Sequence, residues 1–478
     1  MMKFSVRDAV AASRAMVYNP QSQVLVSAQG SDALITSFCT DSREATPGCL
    51  FAAIPGERVD GHRFIPMALE KGAVAVLCQR PELAEDPRYQ DPRVLYVENT
   101  LDALLAISAA YRDLFDVKLA AVTGSVGKTT TKEMIWTALC ARYHTMKSIG
   151  NQNNEIGLPR TLFRLEKEHQ AAVVEMGMCG FNEIRPLTLA AKPQAAVLTN
   201  IGVSHMGLLG SRENILKAKL EILEGLQEGG ALIVNIDNDL LGKWYREEGK
   251  NLPFVQLPVG IESEDALLRA VNVVQSHLDC RFTLCCEEKE YPVILPCVGI
   301  HNVYNALAAC AVALHFGIPL EESTKALANY EPSGMRQRLR PVGEMMFVED
   351  CYNASPDSMN AAIASIKEMT AAGRKILVLS DMLELGEIEE KAHYDVGVLA
   401  AGAADALYVY GSLSEKYIEG AKAAGMENAF WYPDKSALSA ALKEVLSPGD
   451  LVWFKASRGM ALEDVIESLC DPEGGRGE

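Results

Sequence analysis

The sequence predicts an α/β protein of three domains, with a mainly parallel sheet in the central one, and three observations carry that expectation. The first is length: 478 residues exceed what one hydrophobic core holds and suit about two to four domains. The second is rhythm. Between residues 111 and 332 the apolar runs KLAAVTG, QAAVVEMG, QAAVLTNIG and GALIVNID each end in glycine or polar residues and lead into a helical pattern. Strand and helix alternating in this way pack as a parallel sheet covered on both faces. The third is a restart of that rhythm after YEPSGMRQRLRP, in MMFVED, RKILVLSDM, ADALYVYG and DLVWFKASRG. Short strands and turns precede both. The expected domains are therefore 1–110, 111–332 and 333–478, with the closing DPEGGRGE as a frayed tail.

Composition narrows the partners. Hydrophobic residues make up 49% and charged residues 23%, the balance of a globular protein in water. A net charge of −18 excludes nucleic acid and anionic membrane, because polyanions need a basic surface. An anionic small substrate still fits, provided a local cation or helix N-terminus receives it. The opening MMKFSVRDAVAASRAM lacks the apolar core of a signal peptide, and no run approaches about 18 uninterrupted apolar residues, so a cytoplasmic chain without membrane insertion is expected. The twelve cysteines show no C-x-x-C pair, and Cys285 and Cys286 are adjacent; reduced thiols are expected rather than a metal site.

The first strand of the central segment leads into AAVTGSVGKTTTKEM, residues 120–134. The usual phosphate-loop pattern G-x-x-x-x-G-K-[ST] fails here, since Val122 stands where its first glycine would fall. The physics survives the mismatch. Gly124 and Gly127 let backbone N–H groups turn toward an oxyanion, and a helix starting near Lys128 adds its positive end. Lys128 would reach the outer phosphates and the Thr129 hydroxyl would ligate Mg²⁺. The bland alternative is an ordinary strand-to-helix turn.

The next strand ends in VVEMG, placing the Glu175 carboxylate at a strand's carboxyl end, where such sheets bind ligands. It is a candidate second magnesium ligand. The strand after it ends in TNIGVSHMGLLGS and brings Thr199, Asn200 and His205 to the same rim, although a lone histidine is as readily structural. In ENILKAKLEILEGL, helical spacing puts Ile215, Leu216, Leu220, Ile222, Leu223 and Leu226 on one arc, with Lys217, Glu221 and Glu224 opposite. Lys219 falls near the middle of the apolar arc. Such a cation is paired, neutralised or modified, or else it snorkels to water; the spacing alone leaves both open. Two polar clusters complete the segment. GNQNNEIGLP suits a sugar or peptide amide, while His301, Asn302 and Asn305 in GIHNVYNALAA either meet a base edge or cap a helix.

Together these stretches resemble the Mur ligase family of bacterial cell-wall synthesis, along nearly the whole chain. The resemblance rests on T-G-S-x-G-K-T-T-T-K-E (123–133), N-x-N-N-E-I-G-x-P (151–159), E-M-G (175–177) and T-N-I-G-x-x-H (199–205). It continues through A-K-x-E-I (218–222), H-N-x-x-N (301–305), G-M-R (334–336), D-x-Y-N-A-x-P (350–356) and D-M-x-E-L-G (381–386). In this family the phosphate loop lacks the distal glycine, so Val122 is no defect. The resemblance implies a UDP-binding first domain, an ATP-binding central domain and a Rossmann-like third domain. Among family members it points to the ligase that joins D-alanyl-D-alanine to UDP-N-acetylmuramoyl-tripeptide through an acyl phosphate, as a cytoplasmic monomer using ATP and Mg²⁺.

Residue roles follow from the same resemblance. Gly124, Ser125, Gly127, Lys128, Thr129 and Thr130 would hold the ATP phosphates, with Thr129, Glu175, His205 and a carbamoylated Lys219 as metal ligands. Asn302 and Asn305 would touch the adenine, Asp350 the ribose and Arg336 the γ-phosphate. Lys128, Lys219, His205 and Arg336 would be catalytic. Thr40, Ser42 and Arg43 would meet the uridine diphosphate, Asn153 and Asn154 the muramoyl peptide, and Asn353, Asp381, Lys455 and Ser457 the remaining substrate. Three departures touch that last group: the family's K-G-S-R is KASR here, its Y-N-A-N-P is YNASP with Ser355, and its G-D-M is SDM with Ser380. The nearest rival is the sibling ligase that adds the third amino acid, whose diaminopimelate form carries D-N-P-R; no such string occurs. A rival of another class is a nucleotide-binding switch, which leaves Lys219 unexplained.

Overall fold

A computed structural model describes residues 4–56, 59–276 and 278–470. The terminal DPEGGRGE lies outside the described residues. Three sheets and their helices make up the chain, an α/β fold as expected.

The first sheet contains β1 (Met16–Asn19), β2 (Val24–Ser27), β3 (Ser37–Cys39), β4 (Cys49–Ala52), β5 (Ala75–Cys78) and β6 (Val94–Tyr96), in the order β2-β1-β6-β5-β4-β3. β3 to β6 pair in parallel, while β1 is antiparallel to both neighbours. Helices α1 (Val6–Ser13), α2 (Ile65–Glu70) and α3 (Thr100–Arg112) accompany it. Phe51, Val76, Cys78, Val94 and Tyr96 bury one face against Ile65, Ala68 and Leu69 of α2. Asn99 caps α3 by accepting from the Leu101 and Asp102 amides.

The second sheet has nine strands: β7 (Lys118–Thr123), β8 (Thr145–Lys147), β9 (Ala171–Glu175), β10 (Ala195–Leu198), β11 (Ala231–Asn235), β12 (Val255–Gly260), β13 (Leu268–Gln275), β14 (Cys280–Cys286) and β15 (Lys289–Leu295). Their order is β15-β14-β13-β12-β11-β10-β7-β9-β8. The four strands read from sequence are β7, β9, β10 and β11, and their apolar residues are fully buried, as strands covered on both faces require. The antiparallel β13–β14–β15 extension is an addition that the strand–helix rhythm did not signal. The helices are α4 (Lys128–Leu139), α5 (Gly157–Leu162), α6 (Ile184–Ala191), α7 (Met206–Leu209), α8 (Arg212–Leu220), α9 (Asp239–Glu247), α10 (Ile300–His315) and α11 (Leu320–Ala326).

The third sheet holds β16 (Arg338–Val342), β17 (Met345–Asp350), β18 (Lys375–Ser380), β19 (Ala406–Tyr410), β20 (Ala429–Tyr432) and β21 (Leu451–Lys455), ordered β16-β17-β21-β18-β19-β20. Every pair is parallel except β16–β17. Alternate residues serve opposite cores. Val348, Leu377, Leu407 and Trp453 face α12 (Pro356–Glu368), α13 (Glu389–Ala401) and α14 (Glu415–Ala423). Phe347, Ile376, Tyr408 and Phe454 face α15 (Lys435–Val445) and α16 (Glu463–Cys470). That double burial is why each strand reads as a continuous apolar run.

Two compact units divide the described chain: Met1–Ala121, Tyr143–Ala196 and Leu220–Gly230 form one, and Val122–Arg142, Val197–Lys219 and Ala231–Glu478 the other.

One sequence expectation needs correction. The stretch 213–226 is not a single helix: α8 ends at Leu220 and a tighter 3₁₀ turn covers Glu221–Gly225. Glu221, expected on the polar side with Lys217 and Glu224, is buried and accepts from the Asn182, Ile184 and Arg185 amides at the start of α6. The chain is drawn inward because the Thr188 hydroxyl donates to the Ile222 carbonyl, and a side chain at Gly225 would stand 2.2 Å from the Thr188 carbonyl.

Candidate active site

In the second unit, the fully buried end of β7 stops at Thr123 and the chain turns at once. Gly124 has φ +153° and Gly127 φ +83°, both costly for a residue with a Cβ. At Gly124 an added Cβ would also lie 1.9 Å from the Thr199 hydroxyl. The N-cap of α4 is Gly127, which has no side chain to cap the first amides, so the helix start is left to a ligand of the kind that helix N-termini receive. The Lys128 ammonium folds back over the turn, donating to the Gly124 carbonyl at 2.8 Å and the Ser125 carbonyl at 3.1 Å. A cation over glycine-turned backbone at an uncapped helix start is the arrangement a phosphate chain fits.

The loop is braced by the residues after β10. The Val126 amide donates to Asn200 Oδ1, while Asn200 Nδ2 and the Thr199 hydroxyl both donate to the Val126 carbonyl. The Ser125 amide donates to the Asn200 carbonyl, and Ser125 Oγ accepts from the Gly202 amide. Thr199 and Asn200 thus shape the loop.

His205 stands at φ +67°, where the chain turns into α7. Burial, reinforced by the ammonium groups of Lys219 and Lys128, pushes its imidazole down to about 4. The unfolded chain takes up this proton near pH 6.5 and the folded chain only near pH 4. Stability drawn from neutral His205 is therefore full above pH 6.5 and is lost as pH falls through that window. Lys219 is 1% exposed, so the residue singled out on the apolar arc is indeed interior. Ser211 caps its helix by accepting from the Asn214 amide.

Asn302 and Asn305 are buried and tied to the protein. The Thr131 hydroxyl of α4 donates to Asn305 Oδ1, Asn305 Nδ2 donates to Asn302 Oδ1, and Asn302 Nδ2 donates to the Val298 carbonyl and Gln337 Oε1. Gln337 Nε2 meets His301 Nε2 at 3.0 Å, and burial lowers the His301 pKa. These amides therefore brace α4 against α10. Gln337 escaped the sequence reading because a single glutamine in a polar stretch carries no signal. Asn305→Leu should orphan the Thr131 hydroxyl and cost about 1–3 kcal/mol, read as a lowered melting temperature.

Other expected site residues spread over the unit. Arg336 lies over the Tyr352 ring at 3.9 Å. Thr130 shares a hydrogen bond with Tyr330. Asp350 receives the Lys455 ammonium at 2.8 Å, a buried pair in which Lys455 also donates to the Asn353 carbonyl. The Asp381 carboxylate is buried and accepts from the hydroxyls of Ser412 and Ser414. Ser457 Oγ accepts from the Leu383 amide, whereas Asn353 is exposed. Ala456 and Ser380 are fully buried and neither has positive φ, so the missing glycines are accommodated.

In the first unit, Glu175 ends β9 at 3% exposure and accepts from Asn153 Nδ2 at 2.9 Å. Asn154 Oδ1 accepts from the Ile156 and Gly157 amides, a local turn at the start of α5. Thr40 is half-buried, Ser42 is buried, and exposed Arg43 forks onto Asp41, whose carboxyl it holds down at about 2.

Comparison with known proteins decides the family. Three family models match in order: "Mur ligase family, catalytic domain" at 34–112, "Mur ligase middle domain" at 122–313 and "Mur ligase, glutamate ligase domain" at 336–458. The UDP-N-acetylmuramoyl-tripeptide--D-alanyl-D-alanine ligase of Bacillus subtilis is 39% identical over 98% of this chain and 99% of its own. The chain belongs to the Mur ligase family. Solved Mur ligases agree with the fold. A crystal structure of MurF from Acinetobacter baumannii matches with TM-score 0.87 at 28% identity, covering 98% of this chain and 99% of that one. MurF ligase from Thermotoga maritima, in complex with ADP, matches with TM-score 0.81 at 27% identity, covering 92% and 98%. This Mur ligase is an ATP-using enzyme.

Proposed function

We propose that the protein joins D-alanyl-D-alanine to UDP-N-acetylmuramoyl-tripeptide, with ATP converted to ADP and phosphate. The observation that carries the reading is the glycine-turned loop with Lys128 folded across it, in a chain alignable end to end with a ligase of that name. ATP supplies a phosphoryl group that turns the tripeptide's terminal carboxylate into an acyl phosphate, from which the dipeptide amine displaces phosphate.

The chain's own residues make that exchange feasible by managing charge. Gly124, Ser125, Gly127, Lys128, Thr129 and Thr130 receive the nucleotide's phosphates, and Lys128 shifts its ammonium from the loop carbonyls to the anion. Arg336 adds a second cation. Asn302 and Asn305 hold the adenine side of the pocket in shape and Asp350 serves the ribose. Oxygen donors suit Mg²⁺, and the buried Thr129 hydroxyl and Glu175 carboxylate are of that kind; His205, neutral at pH 7, and a carbamate on Lys219 complete the set. Thr40, Ser42 and Arg43 take the uridine diphosphate and Asn153 and Asn154 the muramoyl peptide. Asn353, Asp381, Lys455 and Ser457 bound the dipeptide side. The corresponding domains are 1–110, 111–332 and 333–478, in a cytoplasmic monomer with no nucleic-acid partner. Among the described residues no helix is long and apolar enough to cross a membrane.

Phosphate release tests the reaction. It should require ATP, UDP-N-acetylmuramoyl-tripeptide and D-alanyl-D-alanine together, and running lysine and diaminopimelate tripeptides side by side assigns the third residue. Release with ATP alone would favour a nucleotide switch instead. The carbamate has its own readout: replacing the Lys219 ammonium by an anion should raise the His205 pKa from about 4 when bicarbonate is added. A ring titration by NMR that bicarbonate leaves unmoved would count against the modification.

A further inference from the structure

Three consecutive backbone amides after β10 are each held by a side chain from a different part of the second unit. The Ile201 amide donates to Asn238 Oδ1 at 3.3 Å, the residue that caps α9. The Gly202 amide donates to Ser125 Oγ of the phosphate loop at 2.9 Å. The Val203 amide donates to Asp357 Oδ2 at 2.8 Å, in the first turn of α12. A fourth tether comes from α8, the helix that carries Lys219. Its first residue, Arg212, donates to the Ile201 carbonyl at 2.6 Å and is itself gripped by both oxygens of Asp239. Two residues beyond Val203 stands His205.

Asp357 has no part in the reading of the phosphate loop, and nothing in the reaction needs its carboxylate as an acid or base. Its place in the fold gives it another use. It sits on the helix that follows β17, opposite a glycine with no room to spare: a Cβ on Gly202 would lie 2.0 Å from Asp357 Oδ2. Gly202 has no positive φ, so its lack of a side chain is explained by this close approach rather than by backbone conformation. The start of α12 also favours a carboxylate, because the helix N-terminus carries partial positive charge.

We propose that Asp357 is a positioning residue for the ligase reaction: by holding the Val203 amide from α12, it fixes the Ile201–Val203 segment that joins the phosphate loop at Ser125 to the turn carrying His205. The third sheet's first helix is thereby coupled to the phosphate loop through one tripeptide. Loss of the contact lets Gly202 leave Ser125 and lets His205 drift, so the chemical step suffers more than nucleotide binding, whose cation and helix start lie elsewhere. The inference rests on the ligase reading of the site.

The test uses the whole chain and four variants: Asp357→Ala, Asp357→Asn, Gly202→Ala and the double Gly202→Ala/Asp357→Ala. Asp357→Ala should lower kcat about 10- to 100-fold, the scale of a misplacement of about 1 Å, with the KM for ATP changed less than about threefold. Asp357→Asn keeps an oxygen that accepts from the Val203 amide and should recover most of the loss. Gly202→Ala pushes the carboxylate away from the other side and should mimic Asp357→Ala, while the double variant should be no worse than Asp357→Ala alone. Equal impairment of the Asn and Ala variants, or a double variant equal to the product of the singles, overturns the role of Asp357. Should Asp357→Ala fail to fold, the Asn and Gly202 variants decide by the same criteria. A parent enzyme that releases no phosphate with all three substrates overturns the ligase reading itself; an active parent indifferent to Asp357→Ala overturns only this inference.

Discussion

Lys219→Met should abolish turnover, with kcat falling about 10³-fold, while the protein stays folded. The size of the effect follows from where the residue lies. Lys219 is 1% exposed on α8, and its ammonium helps to hold the His205 imidazole near 4. A lysine kept inside only as a structural partner would show its loss in the melting temperature and not in turnover, because removing one member of a buried pair leaves the other uncompensated. A lysine that works as a carbamate cannot be replaced by methionine at all, because the anion is lost. Lys219→Ala divides these cases further by leaving space beside His205. Added formate or acetate should restore part of the activity of Lys219→Ala and none of Lys219→Met. Phosphate release and melting temperature, measured together, read the result. A Lys219→Met enzyme as active as its parent ends the carbamate interpretation.

What made Lys219 conspicuous in the sequence was a local conflict: a cation at a helical position otherwise occupied by Ile215, Leu216 and Leu220. Local conflicts of this kind, and long apolar strands such as β7, β18 and β21, are readable because the cause and the effect lie within a few residues of each other. The phosphate loop was legible for the same reason, with Val122 simply the buried interior of β7. The rest depended on distant partners. Glu221 follows helical periodicity in sequence but is pulled into a 3₁₀ turn by Thr188. Asn302 and Asn305 offer the same hydrogen-bonding groups whether they meet a base or the protein, and only Thr131 and Gln337 show that the protein takes them. Asp350 and Lys455 were assigned to different substrates, yet they are register partners at the ends of β17 and β21 and form one buried ion pair. Strands β12 to β15 likewise become sheet only through their neighbours, with an irregular register between Val271 and Val274 that blurs the period-two pattern.

Lys128→Ala should lower kcat/KM for ATP about 10³-fold, and Gly124→Ala should lower both that constant and, by more than Lys128→Ala does, the melting temperature. The contrast comes from what each residue does before any nucleotide arrives. The Lys128 side chain is half-buried and donates to the Gly124 and Ser125 carbonyls, contacts that fasten a loop whose course is already set by its glycines. What water cannot replace is a fixed cation beside the phosphates where charge builds up in the transition state. Gly124 is different because it makes the turn itself. At φ +153° an alanine is strained, and its methyl group would displace the Thr199 hydroxyl that secures the Val126 carbonyl. The brace from Thr199 and Asn200 then fails and the amides of the loop no longer point at one place. Isothermal binding of ADP separates the two further: Lys128→Ala keeps most of its ADP affinity, since the helix start and loop amides are intact, whereas Gly124→Ala loses it. A Lys128→Ala enzyme with the parent's kcat/KM for ATP would show that the folded-back lysine is only a loop staple, and the phosphate site would have to be sought elsewhere in the chain.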